Sequence, residues 1–259
     1  MTFAELKATR IHYELTGPPG APVVVLSNSL GTNLSMWDAQ MPEFTKRFRV
    51  LRYDQRGHGK SSVPAGPYTM EELGRDVVGL LAALKLAHVH FCGLSMGGQT
   101  GMWLGVHAAE RIGRLVLCNT GAKIGTPETW NARIAAVERE GMKSVATAVL
   151  ERWLTAAFRS AHPHVAAKIL GMLESTDPQG YIACSAAVRD FDYREKVAAV
   201  RAPTLVIAGT HDPSTPPEGG RGVAQKIPGA RYVELNAAHL SNVEVSQRFT
   251  AEVASFLSA

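Results

Sequence analysis

Among the hydroxyl, thiol, imidazole and carboxylate groups of this chain, Ser95 has the setting that best suits a nucleophile. It lies at the centre of Gly93-Leu94-Ser95-Met96-Gly97, a G-x-S-x-G spacing with a short apolar run before it and a helical pattern after it. A serine on a strand-to-helix turn sharp enough to push its hydroxyl outward leaves no room for side chains two positions either side, and Gly93 and Gly97 supply that room. The helix that comes next offers unpaired N–H groups and a positive dipole end, which favour an oxyanion forming at that spot. The chemistry this implies is nucleophilic acyl transfer. A glycine-rich connection with an incidental serine is the competing reading, and the strand before and helix after argue against it.

A serine hydroxyl is a weak nucleophile at neutral pH, so it needs a histidine base and a carboxylate to orient that base, following it in the chain as acid and then histidine. Of the nine histidines, His239 alone lies late enough to have a strand-end acid ahead of it; His211 comes too early. Asp212, in the loop Gly209-Thr-His-Asp-Pro-Ser-Thr-Pro-Pro, follows an apolar strand-like run, whereas Glu218 and Glu234 fall on a helix and in a strand. Asp212 is therefore the preferred acid, with the two glutamates as alternatives. The oxyanion needs two N–H donors, one from the residue after the nucleophile, Met96, and one from the loop Asn28-Ser29-Leu30-Gly31. The expected second donor is Leu30. In Asp54-Gln55-Arg56-Gly57-His58-Gly59-Lys60-Ser61, Arg56 and His58 read as scaffold groups of a tight loop.

These residues must be held by elements that the apolar pattern predicts. Strands are expected over residues 3–7, 10–15, 23–27, 49–53, 115–118, 204–209 and 232–235, with a further strand leading into Ser95. Helices are expected over 35–46, 69–86, the stretch after Ser95, around 218–226 and over 243–257. From 121 to 194 the alternation stops and only helical patterns appear, several opened by proline at Pro127, Pro163 and Pro178. The expectation is an α/β chain with a mostly parallel twisted sheet of about eight strands and helices on both faces. Residues 1–120 and 195–259 would form the core domain and 121–194 a helical cap.

Composition narrows the function classes. With 259 residues, 46% hydrophobic and 19% charged, the chain can bury a core, and it contains no low-complexity tract. The start alternates in polarity and lacks the pattern of an export signal, and no apolar run approaches membrane-spanning length. The net charge of +4 is mild and the basic stretch 46–60 is spread over several elements, so no nucleic-acid footprint is read. A small anionic substrate is compatible with that charge. Three cysteines, two of them closing apolar runs, suggest buried thiols and a reducing, cytoplasmic setting. No P-loop or dinucleotide-binding glycine pattern is present. His88 and His90 lack nearby acidic or thiol partners, so no metal site is expected.

The first helix of the insertion carries a candidate for specificity. Trp130, Arg133, Ile134 and Val137 stand at i, i+3, i+4 and i+7, one apolar face with a single permanent charge. If that face looks toward Ser95, Arg133 can bind a substrate carboxylate, with Trp130 and Trp153 as pocket walls. Otherwise Arg133 snorkels to solvent or pairs with an acid.

The elbow, the chain order Ser95, Asp212, His239 and the mid-chain insertion resemble the α/β-hydrolase family over essentially the whole chain. More narrowly, VVVLSNSLGTNLSMW, RYDQRGHGKSS, FCGLSMGG and AAHLSNVE are similar to the 3-oxoadipate enol-lactonase family of bacterial aromatic-acid degradation. That resemblance implies an α/β-hydrolase fold and a cofactor-free cytoplasmic enzyme converting 3-oxoadipate enol-lactone to 3-oxoadipate. The residues themselves support an acyl hydrolase. A related carboxylesterase, a carbon-carbon bond hydrolase and a small-molecule receptor that keeps the same three residues remain alternatives, and oligomeric state is not legible.

Overall fold

The computed structural model describes residues 2–259. Eight stretches form strands, the central ones because the sheet can bury both faces of a short apolar run. Along the chain these are β1 (Thr2–Glu5), β2 (Arg10–Thr16), β3 (Val23–Ser27), β4 (Arg49–Tyr53), β5 (Val89–Leu94), β6 (Ile112–Cys118), β7 (Thr204–Gly209) and β8 (Arg231–Leu235). They form one eight-stranded sheet in the order β1-β2-β4-β3-β5-β6-β7-β8, with β2 antiparallel to both its neighbours and every other pairing parallel.

The helices in chain order are α1 (Met41–Phe44), α2 (Met70–Ala83), α3 (Met96–His107), α4 (Pro127–Glu140), α5 (Lys143–Trp153), α6 (Ala156–Ala161), α7 (Pro163–Ser175), α8 (Pro178–Asp190), α9 (Pro217–Lys226), α10 (Ser241–Glu244) and α11 (Ser246–Ser258). Alternate strand residues feed two cores. Val25, Phe91, Leu115 and Val206 pack with Val77 of α2, Leu104 of α3 and Val223 of α9, while Val24, Cys92, Val116 and Leu205 join Phe44 of α1 and Phe249 and Val253 of α11. This is the mostly parallel sheet, covered by helices on both faces, that the strand and helix alternation predicts. No helix among the described residues is long and apolar enough to cross a membrane.

Two expected helices differ. Residues 35–46 do not form one helix but a 3-10 turn, Leu34–Trp37, followed by the short α1. Pro42 has no N–H to give to a carbonyl four residues back, so a continuous helix would lose a bond there, and the chain restarts with proline in the first turn. The closing helix is interrupted at Val245, with φ −123° and ψ 48°, where Glu244 turns back toward the core. By contrast Pro127, Pro163 and Pro178 each occupy the first residue of a helix, where the missing N–H costs nothing.

The parallel register aligns the ends that matter. Ser27 pairs with Gly93, Leu94 with Cys118, and Cys118 with Ile207, so the loops after β3, β5, β6 and β7 leave the sheet along one edge. Helices α4 to α8 come between β6 and β7 and lie over that edge, α4 packing on α8 and α5 on α7. Backbone meets backbone at one seam: a Cβ at Gly180 of α8 would sit 2.0 Å from the Gly57 carbonyl oxygen.

Gly180 and Gly171 separate contact from propensity. An added Cβ at Gly171, within α7, meets nothing within 4 Å. Gly171→Ala should therefore stabilise the protein by about 0.5–1 kcal/mol, the ordinary helix gain. Gly180→Ala should destabilise it by about 1–3 kcal/mol, as overpacking does. Denaturant unfolding measures both, and shifts of the same sign would show that the seam is not tight.

Candidate active site

The turn between β5 and α3 is built by exclusion. A Cβ at Gly93 would lie 2.1 Å from the Gly97 carbonyl oxygen, and one at Gly97 would lie 2.2 Å from that of Ser27. Between them Ser95 adopts φ 59° and ψ −116°, a conformation that side chains normally avoid. It is held there at both ends of its backbone: its N–H donates to Cys118 O at 2.9 Å, and its carbonyl accepts from Thr120 Oγ1 at 2.8 Å and Gln99 N at 3.0 Å.

Asp212 lies three residues beyond β7 and is 3% exposed, so its charge has to be satisfied by the protein. One oxygen accepts from the N–H groups of Ser214 at 2.8 Å and Thr215 at 3.0 Å. The other accepts from Thr215 Oγ1 at 2.6 Å, His239 Nδ1 at 2.8 Å and Asn119 Nδ2 at 3.0 Å. Burial pushes this carboxyl up, but the charge and hydrogen bond of His239, with the Thr215 hydroxyl and amide, outweigh it and hold the group below the usual carboxylate value. An ionised Asp212 can only accept, so His239 Nδ1 carries the proton and Nε2 is left as the basic nitrogen. Trp153 stacks on the imidazole, ring centres 5.8 Å apart. The other acids considered are elsewhere: Glu218 is exposed and Glu234 pairs with Arg221. His211 bonds Asn236 in an exposed loop.

The loop after β3 reaches the same place. Every polar atom of the Asn28 side chain is used, Nδ2 donating to Tyr53 O at 2.8 Å and Oδ1 accepting from Trp37 Nε1 at 2.9 Å. Asn28 O accepts from Gly97 N at 3.1 Å, which binds the loop to the first turn of α3. Among the described residues the N–H groups of Leu30 and Met96 have no acceptor. The two expected oxyanion donors thus occupy adjoining segments beside Ser95.

Ser95, His239, Leu30, Trp130, Arg133 and Trp153 all line one cavity of about 550 Å³ beneath the inserted helices. Trp130 is fixed by its own indole, Nε1 donating to Ile124 O at 2.7 Å, and the Arg133 guanidinium lies 4.6 Å from its ring centre. Ile134 and Val137, on the stripe assigned to that face, are not in the lining. Among the lining residues that the sequence does not single out are two polar ones, Arg152 and Tyr181. Val145, Ala148 and Arg152 of α5 line the cavity at helical spacing, which is the signal that could have marked Arg152. Neither Arg133 nor Arg152 has a carboxylate partner among the described residues, and no acidic side chain lines the cavity. Burial, and then the nearby charge of Arg133, lowers the Arg152 pKa. Two uncompensated guanidinium groups in one recess favour an anion there.

Further polar residues tie these loops together, and of them the sequence alone gives a role only to Arg56. Asn119, at φ 43°, donates from Nδ2 to Asp212 and to Ala238 O and accepts from Ser241 Oγ at 2.6 Å, so it joins the acid's loop to the base's loop. Glu244 accepts from Thr155 N and Oγ1, both at 2.7 Å, and from Ala238 N, tying the start of α6 to the His239 loop. Asn242 Nδ2 donates to Met36 O at 2.9 Å. Arg56 forms a paired contact with Asp76 at 2.6 and 2.7 Å and does not line the cavity. No group of three or more His, Cys, Asp or Glu side chains among the described residues converges as metal ligands would.

Known proteins are similar to this chain over most or all of its length. The profile of the family described as alpha/beta hydrolase fold matches residues 22–244. The 3-oxoadipate enol-lactonase 2 of Acinetobacter baylyi is 40% identical over 243 residues, covering 94% of this chain and 91% of that one. The crystal structure of the enol-lactonase from Burkholderia xenovorans superposes with a TM-score of 0.99 at 48% identity and full coverage of both chains. A thermophilic esterase from Thermogutta terrifontis, solved with malate bound, has a TM-score of 0.90 at 32% identity, covering 96% of this chain and 93% of that one. On the matched profile and these likenesses, this chain belongs to the α/β-hydrolase family.

Proposed function

We propose that this protein hydrolyses 3-oxoadipate enol-lactone to 3-oxoadipate, with Ser95 as nucleophile, His239 as base and Asp212 as the group that orients it. The observation that carries this reading is the joining, in one cavity, of a serine on a strained elbow, an imidazole hydrogen-bonded to a buried aspartate, and two unpaired arginines. The similarity to two enol-lactonases of Acinetobacter baylyi, each 40% identical, supports the substrate. We assign residues 1–120 and 195–259 to the core domain and 121–194 to a cap that closes the cavity.

The reaction is set by where each group stands. His239 Nε2 takes the Ser95 hydroxyl proton as Oγ bonds to the lactone carbonyl carbon, and Asp212 stabilises the imidazolium. The carbonyl oxygen becomes an oxyanion, for which the Leu30 and Met96 N–H groups are the donors. As the carbonyl re-forms, the ring carbon-oxygen bond breaks and the enol oxygen takes the proton from His239. The enol then tautomerises to the ketone, which draws the step forward. Water, deprotonated by His239, attacks the acyl-enzyme and releases Ser95 and the second carboxylate. The substrate's own carboxylate would sit on Arg133 and Arg152, with Trp130 and Trp153 as walls. Buried, unpaired Cys92, Cys118 and Cys184 support a reducing, cytoplasmic setting.

Steady-state kinetics on two substrates test the assignment. Ser95→Ala should lower kcat by roughly 10⁶ on both the enol-lactone and a neutral aryl acetate while leaving the fold intact. Activity within tenfold of the parent would remove Ser95 from the chemistry. Arg133→Ala should weaken kcat/KM for the enol-lactone by about 2–3 kcal/mol, the scale of a hydrogen bond to a charged group. Arg152→Ala should act in the same direction, and hydrolysis of the aryl acetate should change little in either variant. Equal losses on both substrates would make the arginines structural. A receptor that keeps the same residues would turn over neither substrate at an enzymatic rate.

A further inference from the structure

The second oxyanion donor sits on a loop with no regular structure, so something must hold its peptide planes. Gly31 has φ 82°, and a Cβ there would meet Leu173 Cδ2 at 2.8 Å and Tyr181 Cε2 at 3.2 Å. The loop is thus pressed against the Leu173 side chain of α7 and the Tyr181 ring of α8, with no room for a side chain on residue 31. The Gly31 N–H donates to His58 Nε2 at 2.8 Å, which places the imidazole proton on Nδ1, and burial keeps that imidazole below the ordinary histidine value and neutral. The Gly31 carbonyl accepts from Thr176 Oγ1 at 3.1 Å. Thr176 is the residue that ends α7 and is 5% exposed.

A continuous line of hydrogen bonds runs from Thr176 to Leu30. The peptide that carries the Gly31 carbonyl carries the Thr32 N–H at its other end, and this donates to Ser29 O at 3.2 Å. The Thr32 hydroxyl donates to the same oxygen at 2.8 Å. The peptide that carries Ser29 O presents the Leu30 N–H. Donation to one end of a peptide polarises it and strengthens its N–H at the other, so a donor at Thr176 acts two peptides away. The same hydroxyl lies 2.9 Å from Met172 O, so its one proton is shared between the end of α7 and the loop.

We propose that Thr176 is a positioning residue for the oxyanion hole, through which the cap fixes and polarises the Leu30 N–H. This rests on Leu30 being an oxyanion donor. Thr176 touches no reacting atom. Its effect should fall on the transition state, where the oxyanion is fully formed, and not on ground-state binding.

Thr176→Val removes the hydroxyl and keeps the shape, and Thr176→Ser restores the hydroxyl. Removing an oxyanion donor outright costs roughly 10²–10³ in kcat, and loosening one should cost about tenfold. Thr176→Val is therefore expected to lower kcat about tenfold on the enol-lactone and the neutral aryl acetate alike, with KM within about twofold, and Thr176→Ser to recover kcat to within about twofold. An aryl boronate, which forms a tetrahedral anion on a serine, should bind Thr176→Val weaker by the factor lost in kcat. Thermal unfolding checks that both variants are folded. An unchanged kcat in Thr176→Val would overturn the proposal, as would a loss confined to the anionic substrate or a Thr176→Ser variant as impaired as the valine. A failure of the underlying reading looks different: Ser95→Ala would stay active and the parent protein would not bind the boronate.

Discussion

The backbone of Ser95 is the constraint on which the rest of this structure depends. A residue held at φ 59° and ψ −116° costs of order 1–3 kcal/mol, and it persists only when its surroundings leave no alternative. Here the surroundings are specific. Gly93 and Gly97 are pressed against backbone oxygens at distances no side chain could tolerate, and the carbonyl of Cys118 and hydroxyl of Thr120 hold the peptide on either side of the serine. The register that sets Ser27 beside Gly93 and Leu94 beside Cys118 delivers those groups to the right place. The sheet therefore serves as a jig, and the loops at its carboxyl edge are its output.

The polar residues around that edge form a connected system, which is the condition for burying them at all. Asn28 anchors the loop after β3 to β4 and to Trp37, Asn119 links Asp212 to the loop of His239, and Glu244 links that loop to Thr155. Trp153 lies on the imidazole, and its carbonyl accepts from Leu240 N at 3.0 Å. Core and inserted helices are thus joined at the groups proposed to do the chemistry, and not only through apolar packing. The arginines are the exception that defines the pocket. Arg133 and Arg152 are left without an acid, and an anionic ligand would supply the missing partner.

How far the sequence discloses this depends on whether a feature is local. The elbow is legible because its steric demand falls on residues two positions from Ser95. The strands at 23–27 and 204–209 are legible because a doubly buried strand must be a short apolar run, and they occur at those residues. The helix expected over 35–46 is not found, since the apolar spacing carries on past Pro42 and the hydrogen bonding cannot. Chain order points to Asp212 and His239 as partners, and they lie 2.8 Å apart. Arg152 is hidden because Trp153 beside it is the more conspicuous residue, and because the face a cap helix turns inward depends on its packing. The roles of Asn119, Thr215, Glu244 and Thr176 are not legible. Each acts on a partner far away in the chain or through a backbone atom that no side-chain pattern records. The run His239-Leu-Ser-Asn-Val-Glu is similar to the enol-lactonases as a string, and the structure gives physical tasks to its polar members Ser241, Asn242 and Glu244.

Acting together, the elbow, the imidazole and the two N–H donors would make Ser95 an activated nucleophile with a prepared oxyanion site. Treatment with a fluorophosphonate tests all three at once, because phosphonylation needs the activated oxygen and is promoted by donors to the phosphoryl oxygen. Peptide mapping by mass spectrometry should find one adduct per chain, on Ser95, formed in proportion to the loss of enol-lactone hydrolysis and slowed by 3-oxoadipate. Full hydrolytic activity in protein whose Ser95 is completely labelled, or inactivation with the adduct on another residue, would contradict that role for Ser95.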